Sequence, residues 1–259
     1  MSLLRLIIIF RNLKPKLVHS HTLKTNFLTS VAAFIFGTPC VISFAGLGQI
    51  SNSKGVKRFI LLSIIKIMIF LSFRELKGSL IIKNKKRTSF IFQNKNDMKF
   101  IKNIINIPKK NTNLIFGSGV PDFYINKNKK NNWIYSEENY YSNSNEIRLN
   151  LIYLSRLIKS KGILTFIQLA EHYKLYNHSI DGVVDPSSAD SLNKEEIKNF
   201  KLRNKSLHFH GLQKNPLLNQ NYRYPILLVP SIYGEGLPRG IIEALALNIP
   251  VISSKKATC

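Results

Sequence analysis

Short runs rich in Val, Ile, Leu and Phe alternate along this chain with longer segments whose apolar residues recur at helical spacing. Extended runs are expected at KLVHS (16–20), PCVISF (39–44), SFIFQN (89–94), NLIFGS (113–118), LNLIYLS (149–155), ILLVPS (226–231) and PVISS (250–254). Helical periodicity covers 24–36, 56–76, 96–105, 163–175, 194–202 and 238–247. Strands that alternate with helices build parallel sheets, so the pattern predicts an α/β, doubly wound architecture. Two polar stretches interrupt it. Residues 127–145, KNKKNNWIYSEENYYSNSN, have no apolar periodicity and read as an inter-domain linker, while 177–193 read as a long loop. The expected organisation is a domain over 1–126, a linker over 127–146 and a second domain over 147–259.

The most apolar segment is FILLSIIKIMIFLSF (59–73). It carries Lys66 at its middle and is shorter than the roughly 20 apolar residues of a spanning helix. Two readings stay open: a buried helix of the α/β domain, or a helix lying at a bilayer surface between Lys57, Arg58 and Arg74, Lys77. Charge sharpens the second. The chain has a net charge of +24, and residues 1–130 hold 23 bases against 3 acids, leaving the rest nearly balanced. Such a field attracts polyanions: nucleic acid, an anionic bilayer or a phosphorylated ligand. The abundance of Lys, Asn and Ile also fits an AT-rich coding sequence, in which part of the charge carries no function. No helix-turn-helix, RNA-binding signature or basic-aromatic interleaving accompanies it, so no nucleic-acid partner is expected. Two cysteines without a CxxC fit a reducing compartment and no structural zinc. The N-terminal MSLLRLIIIF leads on without a small-residue cleavage site and is not read as a signal peptide.

The stretch PSIYGEGLPRGIIEALALNIPVISS (230–254) carries chemistry. A buried strand ends at Pro230–Ser231, Pro238 suits the first turn of a helix, Asn248 suits a left-handed stop and Pro250 enforces it. Unpaired backbone N–H groups around residues 236–239 then favour anionic or hydroxyl-rich ligands. Glu235 and Glu243, eight positions apart, can each accept hydrogen bonds from sugar hydroxyls. A second segment, LIYLSRLIKSKGILTFIQLA (151–170), places Arg156 and Lys161 at a strand's carboxyl end, where two cations can hold a diphosphate.

These segments resemble family 4 of the retaining glycosyltransferases, of GT-B fold and bacterial polysaccharide or lipid-linked saccharide type. The likeness rests on the E-x7-E frame of 230–254, with Asn248 where the family has Gly, and on RL-x-x-x-KG at 156–162. It extends to H-x-HT-x-K (His19, His21, Thr22, Lys24), the turn ending at Gly46 and Gly48, FIFQNKNDMKFI (90–101), GSGV (117–120) and DPSSADSLNKEEIKNF (185–200) followed by FHG. The resemblance implies two Rossmann-like, doubly wound domains facing a cleft. Against the family pattern both are expected to be incomplete, the opening strand and glycine-rich loop having no counterpart before Met1 and the pattern continuing past Cys259.

By the same resemblance, Glu243 would bind the nucleotide ribose and Glu235 the donor sugar. Gly236, Leu237, Pro238 and Arg239 would lie against sugar and diphosphate, and Arg156 and Lys161 would neutralise the leaving diphosphate. His21, Thr22, Lys24, Gly46 and Gly48 would stand on the acceptor side. The implied reaction is retaining transfer of a sugar from a nucleotide-diphosphate donor to a saccharide or polyprenyl-diphosphate-linked acceptor, in surface polysaccharide biosynthesis. No Asp-x-Asp pair occurs, and neither cofactor nor metal is expected. His19 and His21 lack a third ligand at recognisable spacing. The expected location is cytoplasmic and peripheral, on the inner face of the membrane, with an anionic membrane surface as partner. The alternatives are an inactive fragment retaining donor or membrane binding, and a basic nucleic-acid-binding protein.

Overall fold

A computed structural model describes residues 2–47, 50, 53–73, 88–128, 149–218, 224–232, 234–255 and 257. The chain divides into two compact units. One comprises Met1–Gly117 with Gly234–Leu237, the other Ser118–Tyr233 with Pro238–Thr258.

The first unit is built on four parallel strands in the order β1 (Val18–His21), β2 (Cys40–Phe44), β3 (Thr88–Phe92) and β4 (Thr112–Leu114). Strand β2 is buried along nearly its whole length, as its continuous CVISF run requires. Helices α1 (Leu3–Leu13) and α3 (Gly55–Phe73) both pack on α2 (Leu23–Phe36), and α4 (Lys95–Ile104) follows β3. Sequence periodicity did not mark α1. It starts on Ser2, whose side chain accepts from the Arg5 N–H, and stops at Lys14 in the left-handed region. The apolar segment forms α3, which is buried on one side only. Ile65, Met68 and Ile69 are buried in the core, each contributing about 1.5–3 kcal/mol. Val56, Phe59, Ile60, Ile67 and Phe70 on the same helix are exposed. No helix among the described residues is long and apolar enough to cross a membrane.

The second unit holds five parallel strands in the order β7-β6-β5-β8-β9: β5 (Asn150–Leu154), β6 (Asn177–Asp181), β7 (Leu207–Gly211), β8 (Pro225–Val229) and β9 (Val251–Ser253). Helix α5 (Asp122–Asn128) precedes β5; α6 (Ile163–His172), α7 (Lys194–Arg203) and α8 (Arg239–Ala246) follow β5, β6 and β8. The expected linker lies mostly outside the described residues.

Strand β6 corrects the reading of 177–193 as a loop. The run NHSID is buried from its second residue onward, with His178, Ser179 and Asp181 inside. Backbone pairing to β5 and β7 buries polar side chains here, so the strand carries almost no hydrophobic signature. The rest of that stretch does run as a loop and ends in a capping box, Asn193 with Glu196, that starts α7.

Candidate functional site

In the second unit the segment joining β5 to α6, residues 155–162, carries Arg156 and Lys161. Tyr153, buried in β5, donates from its hydroxyl to the Arg156 carbonyl at 3.0 Å. Residues Lys159–Lys161 form one tight turn closed by Gly162 at φ 80°. A Cβ at Gly162 would overlap the Pro230 carbonyl, so only glycine lets the turn seat against the end of β8. The Ile232 N–H donates to the Ser160 carbonyl at 3.0 Å and fixes that contact.

The opposite flank is held by the loop after β6. Leu157 N–H donates to the Val183 carbonyl at 2.9 Å, Leu192 N–H to the Leu157 carbonyl at 2.8 Å and Lys159 N–H to the Asp190 carbonyl at 2.8 Å. The Ser160 N–H donates to the Asp190 carboxylate at 2.8 Å. Two ion pairs close the same seam: Arg156 Nη1 to Asp185 Oδ2 at 2.5 Å and Lys159 Nζ to Glu196 Oε1 at 3.1 Å. Hydrogen bonds from Ser187, then the Arg156 guanidinium, hold the Asp185 carboxyl below the usual carboxylate range. The Asn193 N–H, then Lys159, lowers the Glu196 carboxyl likewise.

Helix α8 begins at Arg239, with Pro238 as its N-cap rather than inside the first turn, and no side chain caps it. Its first N–H groups have no partner within the helix, the arrangement that suits an anion. Asn248 takes φ 57°, the left-handed conformation the sequence suggested. Glu243 is buried on α8, and Arg239 Nε donates to its Oε1 at 2.6 Å. Tyr124, buried on α5, faces the same carboxylate. Burial, then the Glu243 charge, pushes its phenol up to about 12.

The remaining expected site residues belong to the first unit. His19 Nε2 lies 2.7 Å from Ser43 Oγ, and the His19 and His21 rings are 4.2 Å apart. Thr22, at the N-cap position of α2 without a side-chain capping bond, has φ 69°, a strained value for a β-branched residue. Lys24 sits exposed in the first turn of α2. Gly46 follows β2 at φ 117°, and a Cβ there would lie 2.8 Å from the Gly236 nitrogen. Gly48 lies outside the described residues. Asp97 ties this turn to β3's exit: its Oδ2 accepts from the Leu47 N–H at 3.0 Å and from Asn94 Nδ2 at 2.9 Å. Asn94 Nδ2 also donates to the Glu235 carbonyl at 3.3 Å. Gly236 is buried against Gln93 and the Ala45 carbonyl, and Leu237 packs on Gly117.

The two glutamates therefore fall in different units, Glu235 with the first and Glu243 with the second. Arg156, Lys161, Pro238, Arg239 and Glu243 share the second unit, which the spacing alone did not reveal. Sequence reasoning passed over Tyr124 and gave Asp185 and Asp190 no role. A single tyrosine in a polar run and two acids in a loop leave no periodic signal. Among the described residues no three His, Cys, Asp or Glu side chains converge as a metal site.

Residues 137–259 match the family model described as glycosyl transferases group 1. The chain is 27% identical, over 98% of its own length, to the capsular polysaccharide biosynthesis glycosyltransferase CapM of Staphylococcus aureus, and spans 62% of that protein. Over 45% of the chain it is 32% identical to an uncharacterized glycosyltransferase of Methanocaldococcus jannaschii, covering 28% of it. Among solved structures it is similar to Anabaena HepE in complex with UDP-glucose, with TM-score 0.65 and 16% identity over 98% of this chain and 63% of that one. Sucrose-phosphate synthase of Thermosynechococcus elongatus gives TM-score 0.68 and 16% identity over 98% and 60%. Residues 137–259 are thus similar to the group 1 glycosyl transferases, and the chain has the parallel-sheet α/β, GT-B fold of its solved neighbours.

Proposed function

We propose that this chain is a retaining glycosyltransferase of the family 4 type, moving a sugar from a nucleotide-diphosphate donor to a saccharide or lipid-linked acceptor in surface polysaccharide synthesis. The observation that carries the reading is the seating of the Arg156–Lys161 loop against the end of β8. The backbone of the loop that carries both cations meets the end of β8, the strand that leads into the Glu235–Glu243 motif. The bound UDP-glucose of HepE and the capsular role in the CapM name support the donor class and the pathway class.

The difficult step is departure of the diphosphate while positive charge grows on the sugar ring. Arg156 and Lys161 take the charge that gathers on the leaving oxygen, and the uncapped N-terminus of α8 adds its N–H groups. Glu243 accepts from the ribose hydroxyls, and Glu235 from the sugar. Gly236 and Leu237 present backbone, rather than bulk, to the donor. With cations supplying the compensation, the proposed reaction calls on no metal or cofactor. His21, Thr22, Lys24, Gly46 and Gly48 would bind the acceptor from the first unit.

The membrane reading belongs with this proposal. Residues 1–74 hold ten bases and no acid. Leu4, Ile8 and Leu13 on α1 are exposed, as are Val56, Phe59 and Phe70 on α3. Exposed apolar side chains among uncompensated cations suit an anionic bilayer, and fit a cytoplasmic, peripheral location. No comparable feature favours nucleic acid.

Isothermal titration with UDP, GDP and ADP, followed by nucleotide-sugar turnover, tests the assignment. Binding of one diphosphate is expected, with Arg156→Ala and Glu243→Ala each weakening it about tenfold or more. A folded chain that binds none of the three would overturn the glycosyltransferase reading, and a chain that binds without turnover would favour the inactive-fragment alternative.

A further inference from the structure

We infer that Asp185 is the positioning residue of the proposed donor site, holding the Arg156 guanidinium where a diphosphate is gripped. The inference rests on the glycosyltransferase reading and gives it a component in the loop after β6.

An arginine on a loop has many rotamers, and ordering it costs conformational entropy. Arg156 is 55% exposed, so packing does not supply that order. Asp185 is 13% exposed and is itself anchored. Its Oδ1 accepts from the Ser187 N–H at 3.0 Å and the Ser187 hydroxyl at 2.6 Å. Its own N–H donates to Ser191 Oγ at 3.0 Å, and that hydroxyl donates to the Leu157 carbonyl at 3.1 Å. The carboxylate is therefore fixed to the same short segment that carries Arg156. Gly182 makes this possible: a Cβ there would overlap the Ser155 carbonyl and drive the two loops apart.

The form of the bond matters as much as its anchor. Asp185 meets Arg156 end-on, through Oδ2 and Nη1, with Oδ1 turned to Ser187. A guanidinium has five N–H donors in a fixed fork. A bidentate carboxylate would consume one edge of that fork; an end-on bond fixes the plane and leaves an edge for bidentate binding of phosphate oxygens. An exposed ion pair without an anchor contributes little and orients little. The Ser187–Asp185–Ser191 chain distinguishes this pair from such a contact.

The test measures UDP, GDP and ADP binding, with the corresponding free nucleosides as controls, for the full chain and for Asp185→Asn, Asp185→Ala, Arg156→Ala and the double variant Asp185→Ala/Arg156→Ala. Positioning predicts that Asp185→Ala weakens diphosphate binding about tenfold and leaves nucleoside binding unchanged. Asp185→Asn, which keeps an acceptor, should fall between Ala and the parent. In the Arg156→Ala background, loss of Asp185 should add nothing, the mark of two residues acting as one. Unchanged or tighter diphosphate binding in Asp185→Ala overturns the inference while the donor site stands. An equal loss for nucleoside and diphosphate, or a full loss in the Arg156→Ala background, shows a purely structural role and also overturns it. A parent chain that binds no diphosphate removes the glycosyltransferase reading and this inference together.

Discussion

Arg239 and Glu243 stand one helical turn apart on α8, and the guanidinium Nε reaches the buried carboxylate at 2.6 Å. The pair compensates a charge that the second unit has largely withdrawn from water. The next residue, Ala244, packs in the core with Ile152, Leu227 and Leu247.

Removing the outer partner tests this compensation. Arg239→Ala should destabilise the fold by about 1 kcal/mol, the mostly exposed guanidinium keeping the loss small. Thermal denaturation should show a drop of about 2–4 °C. Glu243→Gln should instead leave the melting temperature close to the parent's while weakening nucleoside diphosphate binding. Equal melting curves for Arg239→Ala and the parent would show that the pair compensates nothing.

Tyr124 supplies a second handle on the same carboxylate. Its phenol, raised to about 12, stays neutral well past the point where an unfolded tyrosine, near 10, ionises. Above pH 10 the unfolded state therefore loses its proton first, and stability falls as pH rises towards 12; below 10 the contribution is complete. Urea melts at pH 9 and 11 should show a steeper alkaline loss for the parent than for Tyr124→Phe. Parallel losses would refute the linkage.

The buried histidine of β6 gives the acid side. His178 is fully buried, its Nε2 has no hydrogen-bond partner among the described residues, and burial lowers its pKa from 6.5. Below pH 6.5 the unfolded chain binds a proton that the folded chain refuses. Stability should fall with slope up to about 1.4 kcal/mol per pH unit until the folded pKa is reached. His178→Phe, which keeps an aromatic ring against Phe166, should flatten that slope. A slope unchanged in this variant would assign the acid sensitivity elsewhere.

Gly162 tests the seat of the basic loop. Alanine there meets both a left-handed φ and the Pro230 carbonyl. Gly162→Ala should cost roughly 2 kcal/mol or more and weaken diphosphate binding together with stability. Retention of full binding with lowered stability would show that the seat holds the fold without placing Arg156.

Much of the architecture was legible because β2, β5 and β8 are apolar runs with turn signals at their ends, and α6 and α8 keep helical spacing. The signal failed where burial and polarity part company. His178, Ser179 and Asp181 fill a central strand with polar side chains, and α1 hides in an apolar run punctuated by Arg5 and Arg11. The E-x7-E frame was visible at once, yet the division of its two acids between units goes with the packing of Gly236 against Ala45 and Gln93, many residues distant in sequence. Asp185 reaches Arg156, and Tyr124 reaches Glu243, across spans that no window of neighbouring residues encodes.

The bonds that join the loop after β6 to the segment after β5 have a consequence for hydrogen exchange. The amides of Leu157, Lys159, Ser160 and Leu192 all donate across that seam. Although they belong to loops, their exchange is slowed until the seam opens, and deuterium would enter them on the schedule of a sheet. With Ile158 bridged antiparallel to Ser191, the two loops hold each other backbone to backbone, and the proposed diphosphate grip becomes one of the less pliant parts of the second unit.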